Sequence, residues 1–233
     1  MTGQGDLLST AEASRQLGVG TRQVQRLAAT GAITQVGNIG RVKLLDARSV
    51  QRLKIQKTGR GRPWTQATIE LTLELLSKGD THLGTTIERS RTRKRLVKIT
   101  AEGLVQAMRR RAAVRRYRAS ESFLDQITAR VMLTGVSAID SNYELAQKFG
   151  LAMKASDSVD GYIGEKGDRQ LIKLCHLVED ATGNVTLRKT DMKVLLKGEY
   201  QSLIVALDLA ESLDARQRAA GLRFITELLE RFR

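Results

Sequence analysis

A helix-rich α+β fold is what this sequence predicts, and three observations predict it. Apolar residues recur at helical spacing through much of the chain; over 66–76, Ile69, Leu73 and Leu76 fall on one face. Short strand-like runs, such as VDGYI at 159–163, lie between those stretches. The charge changes twice along the 233 residues: 1–53 carry 7 basic and 3 acidic groups, 54–118 carry 17 and 5, and 119–233 carry 15 and 17. Three parts are therefore expected: a small N-terminal domain at 1–53, a basic linker with helices at 54–118, and an α+β domain at 119–233.

The N-terminal part reads LLSTAEASRQLGVGTRQVQRLAATGAITQVGNIGRVKLLDARSVQRL over 7–53. Thr10 is a good N-cap, and Ala11, Ala13 and Leu17 follow at helical spacing. Gly18-Val19-Gly20 breaks that helix. Thr21 is then expected to cap a second helix with an apolar stripe of Val24, Leu27 and Ala28, ended by Gly31. Residues 32–36 have strand character, 37–40 (GNIG) read as a hairpin turn, and 41–45 return as a second strand. Asp46 caps a third helix through Val50 and Leu53. Two short helices, a hairpin and a closing helix make a winged helix-turn-helix, whose second helix can lie in a DNA major groove.

The second helix carries side chains suited to that role. With Val24 and Leu27 inward, Arg22, Gln23, Gln25 and Arg26 are left outward beside Thr21. Arg reads guanine and Gln reads adenine by paired hydrogen bonds. Arg41 and Lys43 on the hairpin are placed to meet phosphates or a minor groove. The order of parts over 7–53 resembles the MerR and excisionase winged-helix families.

The formal charge of +14 is concentrated in the next segment. A basic stretch contiguous with a helix-turn-helix implies one extended polyanion footprint, its affinity set by counterion release. Lys54 to Trp64 (KIQKTGRGRPW) reads as the linker. Its Arg60-Gly61-Arg62-Pro63 resembles the AT-hook tetrapeptide, with both arginines suited to a narrow minor groove; Pro63 equally suits the start of a helix capped by Thr65. Gly79 ends that helix. ERSRTRKRLVK at 88–98 contributes Arg89, Arg91, Arg93, Lys94, Arg95 and Lys98, and the apolar spacing of Leu96, Ile99, Leu104, Val105 and Met108 suggests a helix running on to Arg111 despite Gly103. MRRRAAVRRYR at 108–118 reads as a second basic helical cluster, with Arg115 and Arg116 as DNA contacts.

After Arg118 the composition changes, which places a boundary near Ala119. Strands are expected at 130–134, 159–163 and 185–188, the last entered by a Gly183-Asn184 turn. Helices are expected from a Ser137 or Asp140 cap through Phe149, and over 165–176, 200–210 and 214–232. Catalytic chemistry is not expected. His82 and His176 lie in different parts, Cys175-His176 lacks metal-ligand spacing, and neither a phosphate loop nor an HExxH is present. Gly135-Val136-Ser137 with Asp140 suggests a nucleotidyltransferase site, yet lacks its paired metal carboxylates; Asp157 and Asp160 read as solvated or capping. The lone Cys175, the missing apolar leader and the lack of a long apolar run predict a cytoplasmic protein without cofactor.

The order of the winged helix, GRPW, SRTRKRL, RRRAAVRRYRAS, LTGVSAI, VDGYI, GNVTLR and VALDLAESLDARQRAAGL is similar to that of actinobacterial winged-helix antitoxins of type IV (AbiEi-like) toxin–antitoxin pairs. That resemblance implies an operon-autoregulating repressor that binds its own promoter as double-stranded DNA. Its counterpart would be a nucleotidyltransferase-fold toxin, engaged directly or only functionally. The residues also allow a general regulator or recombination directionality factor with a ligand-sensing or oligomerising C-terminal part, or an RNA-binding protein using Arg89 to Arg118.

Overall fold

The computed structural model describes residues 7–57, 62–196 and 198–233, and the fold is α+β with helix predominating. The chain divides into two compact units, Met1–Arg60 and Gly61–Arg233. The boundary expected near Ala119 falls inside the second unit. Basic and near-neutral segments share one core there, so the change of composition marks no domain border.

The first unit contains β1 (Leu7–Ser9), α1 (Thr10–Leu17), α2 (Thr21–Ala29), β2 (Gln35–Ile39), β3 (Val42–Asp46) and α3 (Ala47–Lys57). Ser9, not Thr10, caps α1. Its Oγ accepts from the Glu12 N–H at 3.2 Å, and the Glu12 carboxylate accepts from the Ser9 N–H at 2.8 Å, a reciprocal capping box. The chain leaves α1 through Gly18 and re-enters helix at Thr21, with Gly20 at the cap position; Thr21 is the first helical residue and caps nothing.

β3 lies between β1 and β2 in an antiparallel sheet. The turn is Gly40-Arg41, not 37–40, because a bulge at Val36 lets Gly37 pair with Leu44 and keeps 37–39 in the strand. Gly40 has φ 58° while Arg41 does not have positive φ, the pattern of a type II′ hairpin with glycine first. Asp46 caps α3 as expected, accepting from the Ser49 N–H at 2.7 Å. Ala13, Val24, Ile33, Leu45 and Val50 are wholly buried together. Each of the four larger ones contributes about 1.5–3 kcal/mol by leaving water. α3 continues through Lys57, so the linker starts later than Lys54; the expected AT-hook residues Arg60 and Gly61 lie outside the described residues.

The second unit begins with α4 (Gln66–Lys78), α5 (Thr86–Leu96) and α6 (Ala101–Ala107). Thr65 caps α4, and Ile69, Leu73 and Leu76 are buried as their spacing predicts. The long helix expected through Arg111 is broken. Val97 to Ile99 form a turn, Thr100 caps α6, and a 3-10 turn at Arg109–Arg111 leads into β4 (Ala113–Arg118). Gly103 is accommodated inside α6. The cluster expected as a helix at 108–118 is thus mostly a strand, and successive arginines on it face opposite sides of a sheet.

The remaining elements are α7 (Leu124–Thr128), β5 (Met132–Leu133), α8 (Gly135–Ser141), α9 (Tyr143–Phe149), β6 (Val159–Ile163), α10 (Glu165–Leu174), β7 (Val178–Glu179), β8 (Val185–Lys189), α11 (Gln201–Leu209) and α12 (Ala215–Phe232). Thr134 stands at the cap of α8 and the Asn142 side chain caps α9; neither Ser137 nor Asp140 serves. The sheet order is β5-β6-β8-β4-β7, with β6 and β8 parallel and the other pairs antiparallel. One face packs Tyr117, Val159, Ile163, Val185 and Leu187 against Leu171 and Cys175 of the α10 segment. On the opposite face Tyr162 joins a larger core of α4, α6, α8, α11 and α12.

That larger core contains a charged centre. Arg111, 3% exposed, donates to Asp208 of α11 at 2.5 Å and to Glu211 at 2.9 Å. Arg188 of β8 reaches the same Asp208 at 2.8 Å and clasps both oxygens of Asp160 at 2.7 and 2.9 Å. Thr134 and Tyr162 donate the remaining bonds to Asp208. Burial pushes the Asp208 carboxyl up, but the two guanidinium groups outweigh it and hold the carboxyl below its ordinary range.

Candidate nucleic-acid interface

In the first unit, burial divides α2 cleanly. Val24 is inside, with Leu27 and Ala28 partly covered, while Arg22, Gln25, Arg26 and Ala29 are all exposed. Their spacing of i, i+3, i+4 and i+7 makes one continuous helix face. Gln23 is half-buried on the flank of that face rather than part of it, and Thr21 lies to the other side. None of the Arg22, Gln25 or Arg26 side chains has a hydrogen-bond or ion-pair partner among the described residues. Gly20 supplies no side chain to cap α2, so the first N–H groups of the helix stay open at its positive end.

The hairpin adds a second projection from the same unit. Arg41 is exposed at its tip, Lys43 is half-buried on β3, and neither side chain is paired among the described residues. Three apolar side chains are exposed on the hairpin near Arg41, Ile39 at 69%, Val36 at 56% and Val42 at 49%, beside the exposed polar Gln35 and Asn38.

In the second unit the basic run on α5 resolves into two rows. Arg89 donates to the carbonyls of His82 and Gly84, and Arg93 to Asp80 at 2.8 Å and to the Gly79 carbonyl at 3.1 Å. Those two arginines fasten the loop before α5 to the helix. Arg91, Lys94, Arg95 and Lys98 are exposed at i, i+3, i+4 and i+7. The Lys94, Arg95 and Lys98 side chains are without partners among the described residues. A row of like charges at that spacing costs a helix a few tenths of a kcal/mol per pair. Of the six cations expected together over 88–98, Arg89 and Arg93 are thus engaged with the loop before α5.

Arg115 and Arg116 do not join that row. Arg115 is exposed on β4 and pairs loosely with Glu179 at 3.6 Å. Arg116 points to the opposite face and is partly buried near Arg188; burial holds its pKa below the usual arginine value. Arg62 is exposed just before α4. Sequence spacing did not single out Trp64, which packs against the main core and lines a solvent-open cavity of 440 Å³ with Lys94, Arg95, Lys98 and Ile99.

The Gly135–Ser137 segment does not assemble paired carboxylates. Asp140 accepts from the Lys154 N–H at 2.9 Å, and the Ser137 Oγ accepts from the Asp160 N–H at 2.9 Å. Asp160, expected as solvated or capping, is instead committed to Arg188 through both oxygens. Among the described residues no group of three or more His, Cys, Asp or Glu side chains could hold a metal ion, and no helix is long and apolar enough to cross a membrane. Comparison of the chain with family models, with curated proteins and with solved structures returns no match.

Proposed function

We propose that this protein is a sequence-specific binder of double-stranded DNA whose first unit works as a winged helix-turn-helix. The observation that carries this reading is the exposed face of α2, where Arg22, Gln25 and Arg26 project without internal partners beside an open helix N-terminus. Long donors that can grip base edges, on a helix free to enter a groove, are what major-groove readout requires. The N–H groups at the start of α2 suit a phosphate. Arg41 at the hairpin tip suits the flanking backbone or minor groove, with Ile39 and Val42 against sugar edges.

Selection from a random duplex pool tests this directly. The expected result is enrichment of one short motif, bound more tightly than unrelated duplex by about 10³-fold or more. A pool that stays unenriched at moderate salt contradicts the reading.

The layout shared with type IV antitoxins extends the proposal to an autoregulatory repressor of a toxin–antitoxin operon with a nucleotidyltransferase-like toxin. Co-expression with such a neighbouring toxin should restore growth. Promoter binding without rescue assigns the protein to general regulation or recombination control instead.

A further inference from the structure

We propose that the cavity between Trp64 and the end of α5 is a second nucleic-acid site, which takes a nucleotide unit of a single-stranded polynucleotide. Its base would stack on the indole, and its phosphates would be held by Lys94, Arg95 and Lys98. This site lies wholly in the second unit and does not depend on what α2 binds.

Four features converge there. The cavity is shallow and widely open to solvent, with a volume of 440 Å³. Three of its five lining residues are cations, none is a carboxylate, and none of the three cationic side chains is paired among the described residues. The indole packs partly buried against the main core, and the Trp64 main chain is anchored by its N–H donating to the Ala107 carbonyl at 2.8 Å. The indole N–H itself has no partner among the described residues, so a ligand acceptor can take it.

A rigid aromatic plate rimmed by cations is the recurring arrangement for single strands: the base supplies a π-face and the backbone follows the charges. A duplex hides its base faces in the stack and could offer this cavity only phosphates. Lys94 and Arg95 lie in the last turn of α5 and Lys98 in the turn that follows it, so several cations can reach one backbone segment. Helix-dipole stabilisation accounts for cations near the end of α5 but not for the aromatic wall or the cavity.

Trp64 is the chain's only tryptophan, so its emission reports this site alone. The full chain is titrated with dT and U oligonucleotides of about fifteen residues, with a duplex of equal length and with inorganic pyrophosphate as the charge-only probe. Saturable quenching by the single strands is expected, with little from duplex or pyrophosphate; the dT and U arms tell DNA from RNA. Lys94→Glu with Lys98→Glu, both on the surface, should weaken binding about tenfold or more and flatten the salt slope by about 0.7 for each phosphate no longer neutralised. By anisotropy of a labelled strand, Trp64→Leu should lose about fivefold or more in affinity, while Trp64→Phe retains most of it. Arg22→Ala with Arg26→Ala should leave the quenching unchanged, which separates this site from α2. The proposal is overturned if single strands leave the emission unchanged, if duplex quenches equally, or if the lysine variants bind as wild type does.

Discussion

Replacing Arg111 with methionine should cost the second unit more than any surface substitution. Methionine keeps most of the apolar stem, so the variant removes chiefly the guanidinium. That group is 3% exposed and donates to Asp208, Glu211, Tyr162 and the Met108 carbonyl. Without it, Arg188 is left with the ion pairs to Asp160, Asp208 and Glu211, helped only at Asp160 by the nearby Arg116; of the three carboxylates Asp208 is wholly buried. Breaking a buried pair on one side costs about 3–5 kcal/mol. With a urea m-value of about 2 kcal/mol/M, the midpoint should fall by about 1.5–2.5 M. Trp64 emission is the assay, since the chain's lone tryptophan belongs to the second unit. A double variant with Asp208→Leu should recover part of the loss by removing the stranded carboxylate as well. A midpoint shift below about 0.5 M for Arg111→Met would be the value of an exposed ion pair and would refute the reasoning.

The other predictions concern caps, close packing and pH. Ser9→Ala removes the cap of α1 and should destabilise the first unit by about 1 kcal/mol, read as a lowered melting transition by circular dichroism of the full chain. Glu12 returns that cap, and the Ser9 N–H holds its carboxyl below the usual range. A depressed folded-state pKa gives stability that is present above the ordinary glutamate value and lost as pH falls through the folded one. Glu12→Gln should therefore reduce the acid sensitivity of the first unit, and an unchanged acid transition would discount the capping box. Gly221→Ala should destabilise the second unit by about 1–3 kcal/mol or more, because its methyl would stand 2.5 Å from the Ala206 carbonyl oxygen and 2.6 Å from the Ala210 nitrogen. Wild-type stability in urea would show that α11 and α12 can separate without loss.

Much of this fold was legible because apolar spacing and caps agree locally. α4, α11 and α12 follow runs of buried leucine, isoleucine and valine, with Thr65 and Asp214 marking two of the starts. β6 and β8 are equally clear, being short runs with buried Val, Leu, Ile or Tyr and bounded by turn residues. β4 was not. AVRRYR buries only Tyr117, and its arginines resemble the helical cluster before it; what makes it a strand is its distant pairing with β8, where Val114 stands opposite Arg188. The face of α2 was legible from period alone, apart from the half-buried flank at Gln23. The division of α5 into structural and free cations was hidden, since the partners of Arg89 and Arg93 are loop carbonyls and Asp80, set by the turn before the helix. Trp64 stayed hidden for a similar reason: its cationic neighbours are about thirty residues on and meet it only through packing.

The central claim is that the exposed face of α2 reads base sequence. The ratio of affinities for the selected duplex and for an unrelated duplex, measured at one salt concentration, tests it in wild type and in Arg22→Ala with Arg26→Ala. Loss of base contacts should reduce that ratio by about tenfold or more, at about 1–3 kcal/mol per paired contact, while affinity for unrelated duplex changes far less. An unchanged ratio would contradict the claim and place sequence reading elsewhere in the chain.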